Sequence, residues 1–339
     1  MKQDTTHKTF NLLWLQSGGC GGCSMSLLNA ESPDLYQTLA LANINLLWHP
    51  SLSEASNQQV IDLLNDILND QICLDALCLE GSVIHAPNNT GLLHKFAGTN
   101  QAMKYWLQAL VEKARYVIAI GSCAAFGGIT AAGDNPTDAT GLQYDGAKQG
   151  ALLQPEWRSR ADFPVINIAG CPTHPAWITD TLLQLALGQF SQDCLDEFNR
   201  PRSYTDHLVH HGCPRNEFYE YKASAEQAGD MGCMMEHRGC LGTQARADCN
   251  TRLWNGSGSC LRGGYACINC TAPDFENPPH AFGETPKIAG IPIGLPSDMP
   301  KAWFVALASL SKAATPKRVR DNALADRVVI APQGKGRKV

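Results

Sequence analysis

The first part of the chain alternates short apolar runs with stretches that carry apolar residues at helical spacing. The runs predict five buried strands, at residues 11–16, 44–48, 74–79, 116–120 and 165–168. The stretches between them predict helices at residues 58–68, 101–113 and 177–187. Strands that alternate with helices are typical of βαβ units, so we expect an α/β domain with a parallel sheet.

Three of the predicted strands end in loops that contain glycine and cysteine, and a fourth ends in Glu80-Gly81-Ser82. The cysteines of these loops are Cys20, Cys23, Cys123 and Cys171. In open α/β sheets, the loops at the carboxyl ends of parallel strands meet at one edge of the sheet. We therefore expect these loops to converge on a single site.

The pattern changes at about residue 196, where apolar periodicity fades and cysteine, glycine and histidine become frequent. A stretch of this kind buries little apolar surface, so its folded structure needs bound metal ions or clusters for stability. We therefore expect a sheet domain at residues 1–195 and an irregular domain of helices and loops at 196–285. A C-terminal extension follows at 286–339.

The end of that extension is basic. Residues 312–339 contain eight Lys or Arg against two Asp, and Arg337 and Lys338 are among them. A basic end of this kind predicts either a solvated tail or a docking segment for a partner.

Composition narrows the class of protein. The 339 residues are 44% apolar, and a net charge of −5 gives no reason to expect nucleic acid as a partner. The sequence MKQDTTHKTF lacks a signal-peptide pattern and no run of 18 apolar residues occurs, so we expect a cytoplasmic chain without a membrane span.

Cytoplasmic thiols stay reduced, so most of the 14 cysteines indicate metal or redox chemistry. Three suit small buried apolar positions instead: Cys73, Cys78 and Cys194.

The other eleven cysteines and one histidine form three sets of four. The first set consists of Cys20, Cys23, Cys123 and Cys171. Its C-x-x-C loop contains glycines, which allow the backbone to approach a metal cluster closely. Alone, that loop is equally compatible with a thioredoxin-like redox pair or with half of a zinc site.

The second and third sets lie in the irregular part of the chain. The second consists of His210, Cys213, Cys233 and Cys240, and three cysteines with one histidine also form a common structural zinc site. The third consists of Cys249, Cys260, Cys267 and Cys270, which could likewise hold zinc. Three such sets in one chain favour a series of iron–sulfur clusters over three zinc ions.

Several motifs together resemble the small subunits of [NiFe] hydrogenases. They are WLQSGGCGGCSMSLL, LEGSV, GSCAAFGG, GCPTHP, H-x-x-C-P-R and CINCTAP, and the resemblance covers about residues 10–280. It implies a flavodoxin-like N-terminal domain, followed by a cluster-holding domain with little regular structure. It also implies that the first set of ligands holds a proximal [4Fe–4S] cluster, the second a distal one and the third a medial one.

The resemblance implies a specific role or departure at three positions. Glu80 matches an acidic position near the proximal cluster and is a candidate for a proton path. Cys260 stands where many members have proline, which implies a medial [4Fe–4S] cluster in place of a three-iron cluster. Met25 stands where members often have glutamate, and its thioether cannot carry a proton.

The resemblance also implies a partner and a role. Electrons would come from hydrogen oxidation at a Ni–Fe centre in a large subunit, with which the chain forms an obligate heterodimer or a dimer of heterodimers. The segments CGGCSMSLL and CMMEHRGC most resemble the cytoplasmic hydrogen-sensing group, whose C-terminal extension would dock a sensor histidine kinase. The alternatives are a cytoplasmic uptake hydrogenase and, on ligand chemistry alone, a zinc-stapled structural protein.

Overall fold

The computed structural model describes residues 9–278, 283–288, 291–292 and 300–332. Within these ranges the chain divides into two compact units. The first unit comprises the residues up to Thr205 together with Cys270–Asn277. The second comprises Asp206–Asn269 and the described residues from Pro278 onward.

The first unit is built on strands and helices that alternate along the chain. Its strands are β1 (Phe10–Gln16), β2 (Ile44–Trp48), β3 (Ala76–Glu80), β4 (Val83–Ile84), β5 (Tyr116–Ile120), β6 (Ala139–Thr140), β7 (Tyr144–Asp145), β8 (Lys148–Gln149) and β9 (Ile166–Ile168). Its α-helices are α1 (Gly22–Leu27), α2 (Leu35–Leu41), α3 (Asn57–Leu68), α4 (Met103–Val111), α5 (Gly121–Phe126), α6 (Pro175–Ala186) and α7 (Arg202–Thr205). Short 3₁₀ turns occur at Gly128–Ala131 and Gln192–Cys194.

Five of these strands form one sheet in the order β2-β1-β3-β5-β9, and every neighbouring pair is parallel. The five predicted strands and the expected parallel α/β sheet are therefore confirmed. Two-residue antiparallel pairs join β4 to β6 and β7 to β8. Every residue of β3 and β5 is buried, as is usual for central strands that helices cover on both faces.

The predicted helices at 58–68, 101–113 and 177–187 correspond to α3, α4 and α6. Helix α3 begins at a capping box, in which Ser56 and Gln59 exchange side-chain to backbone hydrogen bonds. Helix α6 begins two residues earlier than predicted, because Pro175 is suited to the first turn of a helix and His174 Nδ1 accepts a hydrogen bond from Ala176 N.

Two segments predicted as loops are short helices. Cys23 lies in α1 and Cys123 lies in α5, each in the segment that follows a strand of the main sheet. Both helices have six residues, which is too short for apolar periodicity to show.

The boundary between the units lies after Thr205 and not after residue 195 as expected, because residues 196–205 pack in the first unit. Asp196 and Arg200 form an ion pair with side-chain exposures of 2% and 3%. Arg200 Nη1 also donates to the carbonyl of Thr271 at 2.8 Å, and this bond holds residues 270–277 in the same unit. Tyr204 Oη accepts a hydrogen bond from Ala169 N at 3.0 Å.

The second unit has little regular structure, as expected for this part of the chain. Its elements are a 3₁₀ turn at Val209–Gly212, α8 (Asn216–Glu220), β10 (Lys287–Ile288), β11 (Ile291–Pro292), α9 (Lys301–Ala313) and α10 (Lys317–Ala323). Val319 and Ala323 of α10 pack against Phe218 of α8. The described part of 286–339 therefore belongs to the second unit and is not a separate extension; Arg337 and Lys338 lie outside the described residues.

The three cysteines outside the ligand sets differ in burial. Cys78 is fully buried, whereas Cys194 is half-buried and Cys73 is exposed, so the expectation of a buried position was wrong for Cys73. No helix among the described residues is long and apolar enough to cross a membrane.

The buried ion pair yields a first prediction. Replacing Arg200 with Met leaves the Asp196 carboxylate buried without its partner, which should lower the free energy of unfolding by about 3–5 kcal/mol. The matched control is Arg160→Met, which removes an ion pair with Asp70 whose side chains are 50% and 58% exposed. That control should cost about 0–1 kcal/mol. Urea unfolding of the purified protein measures both changes, and similar losses in the two variants would contradict the prediction.

Candidate metal-cluster sites

The structure brings together the four thiols of the first set at the carboxyl edge of the main sheet. Cys20 and Cys23 follow β1, Cys123 follows β5, and Cys171 follows β9. The Cys23 thiol lies within electrostatic reach of Cys123 and Cys171, and Cys171 lies within reach of Cys20. The predicted convergence of these loops is thereby observed.

Glycines stand beside three of these thiols, where a side chain would not fit. A Cβ atom on Gly121 would lie 2.6 Å from Cys23 Sγ. A Cβ on Gly22 would lie 3.0 Å from the sulfur of Cys20, and a Cβ on Gly128 would lie 3.0 Å from that of Cys123. The sequence thus keeps side chains away from the thiols and leaves backbone groups around them, as a cluster cradle requires.

The donor set fits a metal cluster. Burial, followed by the charges of neighbouring thiols that include Cys270 and Cys123, raises the pKa of Cys171 to about 12. Burial also raises the pKa of Cys23 and of Cys123. Such thiols ionise only when positive charge lies among them, which a bound metal group supplies. Among the described residues, no three His, Cys, Asp or Glu side chains are grouped as the ligands of a single metal ion.

Glu80, at the end of β3, holds the start of α1. Its Oε1 accepts hydrogen bonds from Cys23 N at 2.9 Å and Ser24 N at 3.0 Å. Its Oε2 accepts from Ser24 Oγ, from Gln16 Nε2 at 2.9 Å and from Trp14 Nε1 at 3.3 Å. Helix α1 has Gly21 at its N-cap and no side-chain cap of its own, so this buried carboxylate of a neighbouring strand satisfies two N–H groups of its first turn.

His49 extends this network, and sequence reasoning missed it. Ser51 N donates to His49 Nδ1 at 3.1 Å, so the hydrogen of the neutral ring is on Nε2, which lies 3.1 Å from Ser24 Oγ. Burial lowers the pKa of His49 and favours that neutral ring. No motif could have identified His49, because it follows β2 and meets Ser24 only in the folded chain. The proton-path role of Glu80 stays a prediction, and Met25 is exposed.

The four side chains of the second set line one cavity within the second unit. These are His210, Cys213, Cys233 and Cys240. Burial raises the pKa of Cys233 to about 12. The backbone donates to two of the sulfurs, from Arg215 N to Cys213 Sγ at 3.4 Å and from Cys267 N to Cys240 Sγ at 3.3 Å. Amide donors of this kind suit cluster ligands.

The third set is divided between the two units. Cys249, Cys260 and Cys267 belong to the second unit, where Cys260 lies within electrostatic reach of Cys240. Cys270 belongs to the first unit, where its carbonyl accepts a hydrogen bond from Ser122 Oγ. The ligand role of this set stays a prediction.

Comparison with known proteins identifies the family. Residues 20–185 match the model of the 20 kDa subunit of NADH ubiquinone oxidoreductase, and residues 205–283 match that of the C-terminal part of the NiFe/NiFeSe hydrogenase small subunit. The chain is 36% identical over 292 residues to the F420 non-reducing hydrogenase II small subunit of Methanosarcina mazei, covering 78% of this chain and 73% of that protein. The chain belongs to the [NiFe] hydrogenase small subunits.

Other relatives agree with this assignment. The periplasmic [NiFe] hydrogenase small subunit 1 of Nitratidesulfovibrio vulgaris is 32% identical, over 81% of this chain and 82% of that protein. Among solved structures, the actinobacterial-type NiFe-hydrogenase from Ralstonia eutropha H16 gives a TM-score of 0.73 at 28% identity, over 92% of this chain and 93% of that one. The recombinant [NiFeSe] hydrogenase from Desulfovibrio vulgaris Hildenborough gives 0.67 at 30% identity, over 82% and 99%.

Membership of this family confirms the coarser sequence expectations. The small subunit is part of an oxidoreductase whose Ni–Fe site is in the large subunit. Small subunits of this family carry iron–sulfur clusters and pair with that large subunit.

The glycine cradle yields a second prediction. In Gly121→Ala the new Cβ would overlap Cys23 Sγ, so the thiol must shift and the protein should lose one cluster's share of iron and sulfide. The control is Gly188→Ala, since Gly188 also has a positive φ, of 67°, but has nothing within 4 Å of the added Cβ. Both variants carry a backbone cost of about 1 kcal/mol, so only the clash differs. Equal iron contents in the two purified variants would count against the cradle.

Proposed function

We propose that the chain is the electron-transfer small subunit of a [NiFe] hydrogenase and that it holds three [4Fe–4S] clusters. The observation that carries this proposal is the convergence of two four-residue sets, each in its own unit, within a family whose small subunits carry clusters. The proximal ligands are Cys20, Cys23, Cys123 and Cys171. The distal ligands are His210, Cys213, Cys233 and Cys240. The medial ligands are Cys249, Cys260, Cys267 and Cys270.

The fold supports the proposal at the proximal site. The strand order β2-β1-β3-β5-β9 supports a flavodoxin-like sheet, a class that binds ligands at the carboxyl edge. When bound, the clusters supply one-electron transfer.

Glu80 fixes the position of Cys23 by accepting hydrogen bonds from the backbone N–H groups of Cys23 and Ser24. Ser122 Oγ fixes the loop of Cys171 by accepting from Gly170 N at 2.9 Å.

Cys260 decides the composition of the medial cluster in this proposal. Cys260 is exposed in the second unit, where a fourth thiolate is available to bind a fourth iron. The zinc-stapled alternative loses its support, because the family to which the chain belongs carries iron–sulfur clusters.

The third prediction tests the medial assignment. The oxidised native heterodimer should show no electron paramagnetic resonance signal of a three-iron cluster, and Cys260→Pro should produce one, because the fourth iron loses its ligand. The control is Cys73→Ala, which alters an exposed cysteine outside the three sets and should give no such signal. A three-iron signal in fully loaded native protein would contradict the assignment, and zinc in place of iron and labile sulfide would reject the whole proposal.

We further propose that the hydrogenase acts as a cytoplasmic hydrogen sensor, with α9 as the docking site for a histidine kinase. Helix α9 leaves Trp303 and Leu310 exposed, at 67% and 69%, and Leu307 lies between them on the helix. An exposed apolar stripe of this kind suits a protein partner. The alternatives are an uptake hydrogenase and, for the assembly, a dimer of heterodimers in place of a single heterodimer. The cytoplasmic location stays a prediction, since relatives include periplasmic proteins.

The fourth prediction separates the sensor from the uptake enzyme. Because α10 contributes to the core of the second unit, removal of residues 286–339 would damage that unit, and point substitutions are the cleaner test. The double variant Trp303→Ala, Leu310→Ala should lose binding to a kinase encoded with the hydrogenase, while hydrogen oxidation with a viologen dye stays unchanged. Leu93→Ala, an exposed leucine of the first unit, is the control. Fast turnover without any kinase binding by the native protein would reject the sensing role.

A further inference from the structure

A row of aromatic and cationic side chains leads away from His210, one of the distal ligands proposed above, within the second unit. The ring of Tyr219 packs edge-to-face against the imidazole of His210, with 4.2 Å between the two ring centres. The ammonium of Lys222 lies over Tyr219, with Nζ 3.9 Å from the centre of that ring. The ring centre of Phe304 lies 4.8 Å from the same ammonium. A positive charge is therefore held one aromatic ring away from a proposed ligand.

The backbone next to Lys222 is paired with Cys233, a second proposed ligand. Cys233 N donates to the carbonyl of Ala223 at 2.9 Å, and Ala225 N donates to the carbonyl of Cys233 at 2.9 Å. The side chains of Lys222 and Cys233 line the same cavity, and their charges lie within electrostatic reach of each other. The ammonium is thus held in place relative to two of the four residues of the distal set.

Lys222 has an unusual backbone conformation. Its φ is 54°, in the left-handed region, just after the end of α8. Its N–H donates to the carbonyl of Tyr219 at 3.0 Å, and Ala223 N donates to that of Phe218 at 2.8 Å, a pattern that closes a helix. Glycine occupies such a position at the least cost, so a lysine here indicates a role for its side chain. The contacts of the ammonium with two aromatic rings offset part of the backbone cost.

No ion pair with a described residue neutralises this half-buried lysine, whose Nζ donates to the carbonyl of Tyr219 at 3.0 Å. Glu236, in the wall of the same cavity, is already paired with Lys287 at 2.7 Å. Burial lowers the pKa of Lys222, and the charges of Glu220 and Cys233 oppose that shift. When Cys233 is a thiolate ligand, its negative charge favours the ammonium form further. A cation therefore stands beside the distal set.

We propose that Lys222 is a positioning residue of the distal site, whose ammonium, held on Tyr219 and beside Cys233, raises the reduction potential of the distal cluster. The inference rests on the proposed function, because it needs a cluster on the second set of ligands. Reduction adds one negative charge to the cluster, and a nearby cation stabilises the reduced form more than the oxidised form. A distal cluster that is easier to reduce favours electron transfer away from the large subunit.

The test is a redox titration of the purified heterodimer, followed by electron paramagnetic resonance of the reduced clusters. Lys222→Met removes the charge but keeps an unbranched side chain that suits the space between two aromatic rings. We expect one midpoint potential to fall by about 59 mV, which is about a tenfold change in the equilibrium constant of a one-electron couple. Lys222→Gln, a second neutral variant, should repeat the fall. Lys222→Arg keeps the charge and should stay close to the native value.

The controls separate the effect of the charge from damage to the site. Lys148→Met changes the net charge equally at an exposed position of the first unit, where salt screens the charge, and should shift no potential. All three Lys222 variants share the backbone cost of the left-handed conformation, so iron content and melting temperature should differ little among them.

Three results would overturn the role of Lys222 and leave the cluster proposal intact. The first is equal midpoint potentials in the native protein and in both neutral variants, with full iron content. The second is a fall of the same size in Lys222→Arg. The third is loss of iron from both neutral variants, since the lysine would then only support the fold. Absence of iron and labile sulfide from the native heterodimer would instead reject the proposed function.

Discussion

Packing four thiolates around one point is unfavourable without positive charge, because each buried thiolate loses hydration and repels its neighbours. The first unit is arranged around this constraint. Gly22, Gly121 and Gly128 stand beside three of the sulfurs, so backbone takes the place that side chains would fill. The wholly buried strands β3 and β5 give the loops rigid starting points. What remains at this edge of the sheet is four thiols with glycine backbone beside three of them, an arrangement that suits a metal cluster.

Glu80 shows how the fold resolves a second conflict at that site. A carboxylate beside thiols adds negative charge, and its proximity contributes to the raised pKa of Cys23. Yet five donors converge on it, two of them N–H groups in the first turn of α1. Helix α1 starts at Gly21 without a side-chain cap, so the carboxylate of β3 completes its first turn. The acidic residue therefore positions Cys23, and its negative charge is the cost of that rigidity.

The sequence predicts the sheet well because each central strand is a continuous apolar run that ends in a glycine-containing loop. It predicts the members of the first set because the carboxyl ends of parallel strands must meet at one edge. It does not predict α1 or α5, since six residues are too few to show a helical period and α1 is capped from another strand. His49 is invisible to sequence reasoning for the same reason: its contact with Ser24 exists only after β1 and β2 have paired.

Domain boundaries were the least predictable feature, and Cys270 shows why. The motif Cys267-Ile268-Asn269-Cys270 is divided between the units, because Asn269 ends one segment and Cys270 begins another. Ser122 Oγ donates to the Cys270 carbonyl and accepts from Gly170 N, and Arg200 holds the next carbonyl, that of Thr271. The backbone of Cys270 is thus bonded to Ser122, next to Cys123, and Ser122 in turn bonds Gly170, next to Cys171. A change of composition along the chain could not reveal this, since the bonds that place Cys270 come from residues about 70 to 150 positions earlier.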